Sequence, residues 1–114
     1  MANTKTDLRK AIDEFCDENW PDEGIILFGE SEGSCYDEGF IGIGMQQHKG
    51  PVAVYDRDKC IDALAWVFRQ EEFAEEGSDP YGDAVEWFDY NTAGAWAGER
   101  TPVIITKFSA EGTR

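Results

Sequence analysis

The stretch from Tyr81 to Thr106, a helix, a turn and a buried strand by its pattern, is what the rest of this 114-residue chain is organised around. Asp79 can accept from the free N–H groups of a helix start, and Pro80 suits a first helical position, where no N–H is needed. Ala84, Val85, Phe88, Thr92, Ala95 and Trp96 recur at spacings of three and four, which predicts one apolar helix face. Gly98 suits the left-handed residue beyond a helix end, and Glu99-Arg100-Thr101 turn the chain. Pro102 then opens Val103-Ile104-Ile105-Thr106, a β-branched run whose apolarity predicts an interior strand rather than an edge.

The preceding chain supplies the partners for that unit. Thr4 or Thr6 can cap a first helix, with Leu8, Ala11, Ile12, Phe15 and Cys16 on its apolar face and a stop at Trp20-Pro21. Gly24 to Phe28 is continuously apolar and reads as a central strand; Gly29 to Gly39 is an acidic loop. Phe40 to Met45 is a second strand whose alternate glycines require close packing on one face or a bend. Gln46 to Gly50 turns the chain, Pro51 to Tyr55 is short and extended, and Asp56 can cap a helix. On that helix Ile61, Leu64, Ala65 and Phe68 face inward, with Trp66 and Val67 beside them, and Gly77 ends it. The order predicts one α+β domain over residues 1–114, with flexible ends at 1–4 and 109–114. About three helices pack on a small, mostly antiparallel sheet of three to four strands.

Composition narrows the class. Aromatic residues make up 13 % of the chain, which a disordered acidic polypeptide would lack. Cys16, Cys35 and Cys60 are widely spaced and make no zinc pattern, so they read as reduced thiols in a cytoplasmic protein. No apolar run approaches 18 residues, and the N-terminus leads into an amphipathic helix, so neither a membrane span nor a signal peptide is expected.

Charge is the property with most bearing on function. Twenty-four acidic residues face ten basic ones, for a net charge of −14. Such a chain is repelled by nucleic acid and by anionic membranes and attracted to basic surfaces. Ten acids and no Lys or Arg lie between Ala11 and His48, and nine acids and no Lys or Arg between Gln70 and Glu99. Glu71, Glu72, Glu75, Glu76 and Asp79 repeat at helical spacing, which sets neighbouring carboxylates about 5–6 Å apart. Phosphates along a DNA strand have a spacing of that order. These five residues could replace phosphates on a face extended by Glu30, Glu32, Asp37 and Glu38, and by Asp13, Glu14, Asp17 and Glu18. The competing reading is a set of solvated faces that keep the protein soluble.

Chemistry-bearing motifs are otherwise weak. The loop from Glu30 to Glu38 lacks the spacing of a calcium loop, and Gly42-Ile43-Gly44 is followed by no third glycine of a dinucleotide fingerprint. His48 lies in a polar turn, and Cys35 lies among acids that disfavour its thiolate. Asn91 and Arg100 read as local hydrogen-bonding and charge partners. The four tryptophans read mainly as core, although one exposed beside acids could anchor a protein interface. No catalytic signature, metal or cofactor is expected.

Two segments, Pro51 to Ile61 (PVAVYDRDKCI) and Asp83 to Pro102 (with EWFDYN, Gly94-Ala95 and Gly98-Glu99), resemble a group of small proteins encoded by bacteriophages and prophages. The resemblance spans roughly the C-terminal two-thirds of the chain and brings no catalytic residues with it. It implies a phage product acting in the cytoplasm of an infected bacterium. With the charge, it leads to a non-enzymatic DNA mimic that inhibits a basic DNA-binding host protein: a topoisomerase such as gyrase, RNA polymerase, or a restriction or CRISPR nuclease. The alternative is a small structural or assembly module, compatible with a homodimer, in which acid serves solubility alone. A third class, a carboxylate-dependent metal enzyme, lacks a nucleophile, a base and ligand spacing.

Overall fold

The computed structural model describes residues 5–29, 34–45, 49–70, 79–92, 98, 101–108 and 110, with side chains from Asp7 onward. Helix α1 spans Lys5–Asn19, α2 Arg57–Gln70 and α3 Pro80–Trp87, the last continuing into a π-helical turn over Phe88–Thr92. Strands β1 (Phe40–Gly44), β2 (Val52–Asp56) and β3 (Val103–Ile105) form one sheet in the order β1-β2-β3. A 3₁₀ turn, Cys35–Gly39, leads into β1. This is the expected α+β architecture.

Local signals place most boundaries. Asp79 Oδ1 accepts from the Gly82 N–H, Pro80 holds the first turn of α3, and Gly98 has φ +98°. The remainder of the helix expected to reach Trp96 lies outside the described residues. Asp56 Oδ1 accepts from Asp58 N at 3.0 Å, starting α2 as its position suggested. The glycine-rich β1 meets β2 antiparallel with a register shift between Phe40 and Gly42. Gly39 marks a close approach: a Cβ there would lie 2.5 Å from Cys60 Sγ.

The sheet is mixed, because β3 runs parallel to β2. The connection from β2 to β3 passes through α2 and α3, and such a crossover returns the chain in its original direction. Two strand assignments change as a result. Val103–Ile105 is an edge strand rather than an interior one, with Val103 43 % exposed, and the short Val52–Asp56 run takes the centre. Gly24 to Phe28 is irregular rather than a strand. Ile25, Leu27 and Phe28 still pack on the core. Side chains replace the ladder: Tyr55 Oη accepts from Phe28 N at 3.1 Å, and Arg9 Nη1 donates to Phe28 O at 3.0 Å.

The core joins Ala53 and Tyr55 of β2, Cys60, Ile61, Leu64 and Ala65 of α2, Ala84 of α3 and Phe88. Aromatic edges bind it together. Phe28 and Tyr55 centroids lie 4.6 Å apart, Tyr36 and Phe88 5.5 Å, and Phe40 and Tyr55 5.7 Å. Burial pushes the Tyr55 phenol up to about 12, against the opposing hydrogen bond from Phe28. The tryptophans expected in the core are not there among the described residues. Trp20 is half-buried, and Trp66 and Trp87 are exposed.

At the sheet end, buried Asp56 accepts an ion pair from Lys107 Nζ at 3.0 Å. Burial raises the Asp56 pKa, but the Lys107 hydrogen bond, the Lys59 and Asp58 N–H groups and the Lys107 charge outweigh it, leaving the pKa low. A carboxyl whose folded pKa is depressed contributes its stability above the unfolded value, near 3.9, and loses it as pH falls through the lower folded value. The stability gap between wild type and Asp56→Asn, measured by urea unfolding, should therefore be full at pH 6 and close below about pH 4. A pH-independent gap would show that the charge of Asp56 is not what stabilises this end.

Candidate partner-binding surfaces

The carboxylates singled out in the sequence fall into three groups. Glu30, Glu32, Glu71, Glu72, Glu75 and Glu76 lie outside the described residues, as does His48. Asp13, Glu14, Asp17 and Glu18 are exposed on α1, Glu38 is exposed within the 3₁₀ turn, and Asp79 is exposed at the α3 cap. Asp37 is corrected: it is 2 % exposed and belongs to no surface. Its Oδ1 accepts from Arg9 Nη1 at 3.2 Å and its Oδ2 from Ser34 N at 3.1 Å. A buried guanidinium needs a buried anion, and Asp37 supplies it.

Three of the bases are turned onto the protein's own acids. Arg9 is buried between Asp37 and Asp13, Arg57 Nη2 lies 2.9 Å from Asp89 Oδ1, and Lys107 holds Asp56. Glu14, Asp17 and Glu18 form no ion pair among the described residues. Asp17 and Glu18 also occupy the last turn of α1, which carries no base. Acid at a helix C-terminus opposes the helix dipole, so local helix stability does not account for these residues.

A second surface lies where α2 meets α3. Phe68, half-buried on α2, sets its ring perpendicular to Trp87 at 6.3 Å. Trp87 is 51 % and Tyr90 87 % exposed. Together with Asp83 and Glu86 these rings line an open groove of about 780 Å³. Helical spacing explains the grouping. Ala84, Phe88 and Thr92 are buried on the inward side, while Asp83 and Trp87, and Glu86 and Tyr90, are pairs four apart on the outward side. Trp87 is thus one exposed tryptophan beside acids of the kind the sequence allowed for, and Trp66, 57 % exposed beside Glu38 and Asp62, is another. The same spacing, read for the opposite face, would have located the rest of the groove. Asn91 Nδ2 donates to the Trp87 carbonyl at 3.2 Å, the local role expected of it.

A smaller cavity of about 630 Å³ lies beside Cys35, Glu38, Lys59, Asp62 and Trp66. Burial pushes the Cys60 thiol up to about 12. It also raises that of Cys16, with Asp13 and Asp17 adding to the effect, so neither cysteine has thiolate character. Among the described residues no group of three or more His, Cys, Asp or Glu side chains is arranged to hold a metal ion. No described helix is long and apolar enough to cross a membrane.

Comparison with protein-family models, with curated proteins and with solved structures gave no match.

Proposed function

We propose that this protein is a non-enzymatic acidic inhibitor, encoded by a phage, that occupies the DNA-binding surface of a basic host protein in place of DNA. The observation that carries this reading is the disposition of charge. Arg9, Arg57 and Lys107 are spent on internal ion pairs, while Glu14, Asp17 and Glu18 face solvent without such partners among the described residues. Each such pair takes one acid with one base, so the net charge of −14 stays with the remaining side chains, and its field favours fast association with basic surfaces. The resemblance to phage proteins supplies the setting, and a topoisomerase, RNA polymerase or a nuclease acting on foreign DNA the kind of target. Glu71, Glu72, Glu75, Glu76, Glu30 and Glu32 join the proposed face on sequence grounds alone.

Affinity capture from bacterial lysate, with and without competing duplex DNA, tests it. The expected result is one DNA-processing protein, displaced by DNA, whose affinity falls on the order of tenfold or more from low to physiological salt. Reversing Glu14, Asp17 and Glu18 to Lys, or Glu72, Glu75 and Glu76 to Lys, should weaken capture while the domain stays folded. A partner indifferent to salt and DNA, or none, would overturn the proposal.

An assembly module remains the second reading, favoured by apolar side chains on β1 and beyond the sheet. Ile41 is 49 %, Met45 66 % and Phe108 89 % exposed. It predicts salt-resistant self-association by sedimentation.

A further inference from the structure

We infer that the groove between α2 and α3 is the anchoring site for an arginine of the basic partner, its guanidinium stacked on Trp87 and paired with Asp83 and Glu86. The inference rests on the reading of the protein as a binder of basic surfaces and adds where the contact is made and by which side chain. Charge alone gives attraction without a register. This groove offers a register, because it combines a flat ring with carboxylates at one place.

The geometry is specific. The Trp87 ring is half-exposed, and the Phe68 ring packs against it at a right angle with centroids 6.3 Å apart. Asp83 stands one helical turn before Trp87, and Glu86 one turn before the exposed Tyr90. Among the described residues, no base pairs with Asp83 or Glu86. Asp89 on the same wall is taken, since Arg57 Nη2 donates to both its oxygens at 2.9 and 3.0 Å. That contact shows a guanidinium already seated against this wall and leaves the other two carboxylates for an incoming one.

The chemistry selects arginine. A planar, weakly hydrated guanidinium stacks on an indole face while donating in its own plane to carboxylates, whereas an ammonium is a compact, strongly hydrated point charge. An uncharged apolar occupant would desolvate Asp83 and Glu86 without compensation. Exposed aromatic anchors ringed by charge are also where interface affinity concentrates.

The probes are blocked tetra-arginine and tetra-lysine peptides, titrated at low salt. Affinity is measured by isothermal titration calorimetry, and the site is located through the indole N–H resonances, assigned with single Trp→Phe variants. Tetra-arginine is expected to move the Trp87 resonance saturably and to bind more tightly than tetra-lysine. Trp87→Ala should weaken tetra-arginine binding about 3- to 30-fold at unchanged net charge, with Trp87→Phe retaining most of the affinity. Asp83→Asn/Glu86→Gln should weaken it more than Asp17→Asn/Glu18→Gln, which removes the same charge from α1. Circular dichroism establishes that each variant is folded.

Equal losses from the two charge-neutral pairs, together with an unaltered affinity in Trp87→Ala, would overturn the groove and leave the electrostatic reading intact. Groove-localised arginine binding with no DNA-displaceable partner in lysate would do the reverse. A shift confined to other tryptophans, or Trp87 buried in a dimer of the protein, would also overturn the inference.

Discussion

Asp37→Ala should destabilise the domain by about 3–5 kcal/mol, the cost of leaving a buried charge without its counter-ion. Arg9 is 6 % exposed, and its Nε has no hydrogen-bond partner, so Nη1 carries the hydrogen bonds to Asp37 and Phe28. Asp37 also closes the capping box of the 3₁₀ turn with Ser34. Removing its carboxylate leaves the guanidinium only the half-exposed Asp13 at 3.7 Å and opens that turn together. A typical domain has about 5–15 kcal/mol in total, so this change takes a large share of it. The Arg9→Met/Asp37→Leu double variant should be markedly more stable than the Asp37→Ala single, because no charge is then left buried. Chemical denaturation of the set measures both. A single variant within about 0.5 kcal/mol of wild type would mean that Arg9 finds water and that the pair does not join α1 to the rest of the fold.

Phe88→Ala is expected to cost about 3–5 kcal/mol through lost burial and the cavity left behind. Its ring is fully buried and meets Tyr36 edge-on at 5.5 Å. Tyr36 in turn shares a hydrogen bond with Thr92 at 3.1 Å, which ties the π-helical turn to the 3₁₀ turn. The cavity would thus open at the junction that orients the outward residues on either side, Trp87 and Tyr90. Loss of stability should be accompanied by weaker arginine-peptide binding, even though Phe88 is on the opposite side of the helix. Phe88→Leu should recover most of both. Thermal and urea unfolding read the first effect and the indole titration the second. A loss below about 1 kcal/mol would show that the π-helical turn repacks around the gap.

The accuracy of the sequence reading followed the range of the interaction involved. Asp79, Pro80 and Asp56 act on backbone within a few residues and take the roles their chemistry predicted, and Gly98 has the positive φ expected of it. The inward faces of α2 and α3 followed from periodicity, as Ile61, Leu64, Ala65, Ala84 and Phe88 confirm. Arg9 was hidden from that reading because a charged residue at a helical position looks solvated until its anion arrives from 28 residues away. The same event removed Asp37 from the acidic face. Gly24 to Phe28 and Val103 to Ile105 went astray for one reason: an apolar run reports burial, and burial is available to an irregular segment or to one face of an edge strand.

Helix registers, caps, the left-handed turn and the sign of the protein's field were legible in one dimension, because each depends on nearest neighbours or on a sum over residues. Which strand is central, which acid is buried and which tryptophan faces water were not. Those depend on which distant segments meet, and the crossover from β2 to β3, the Arg9–Asp37 pair and the Phe68–Trp87 contact were settled by packing between them.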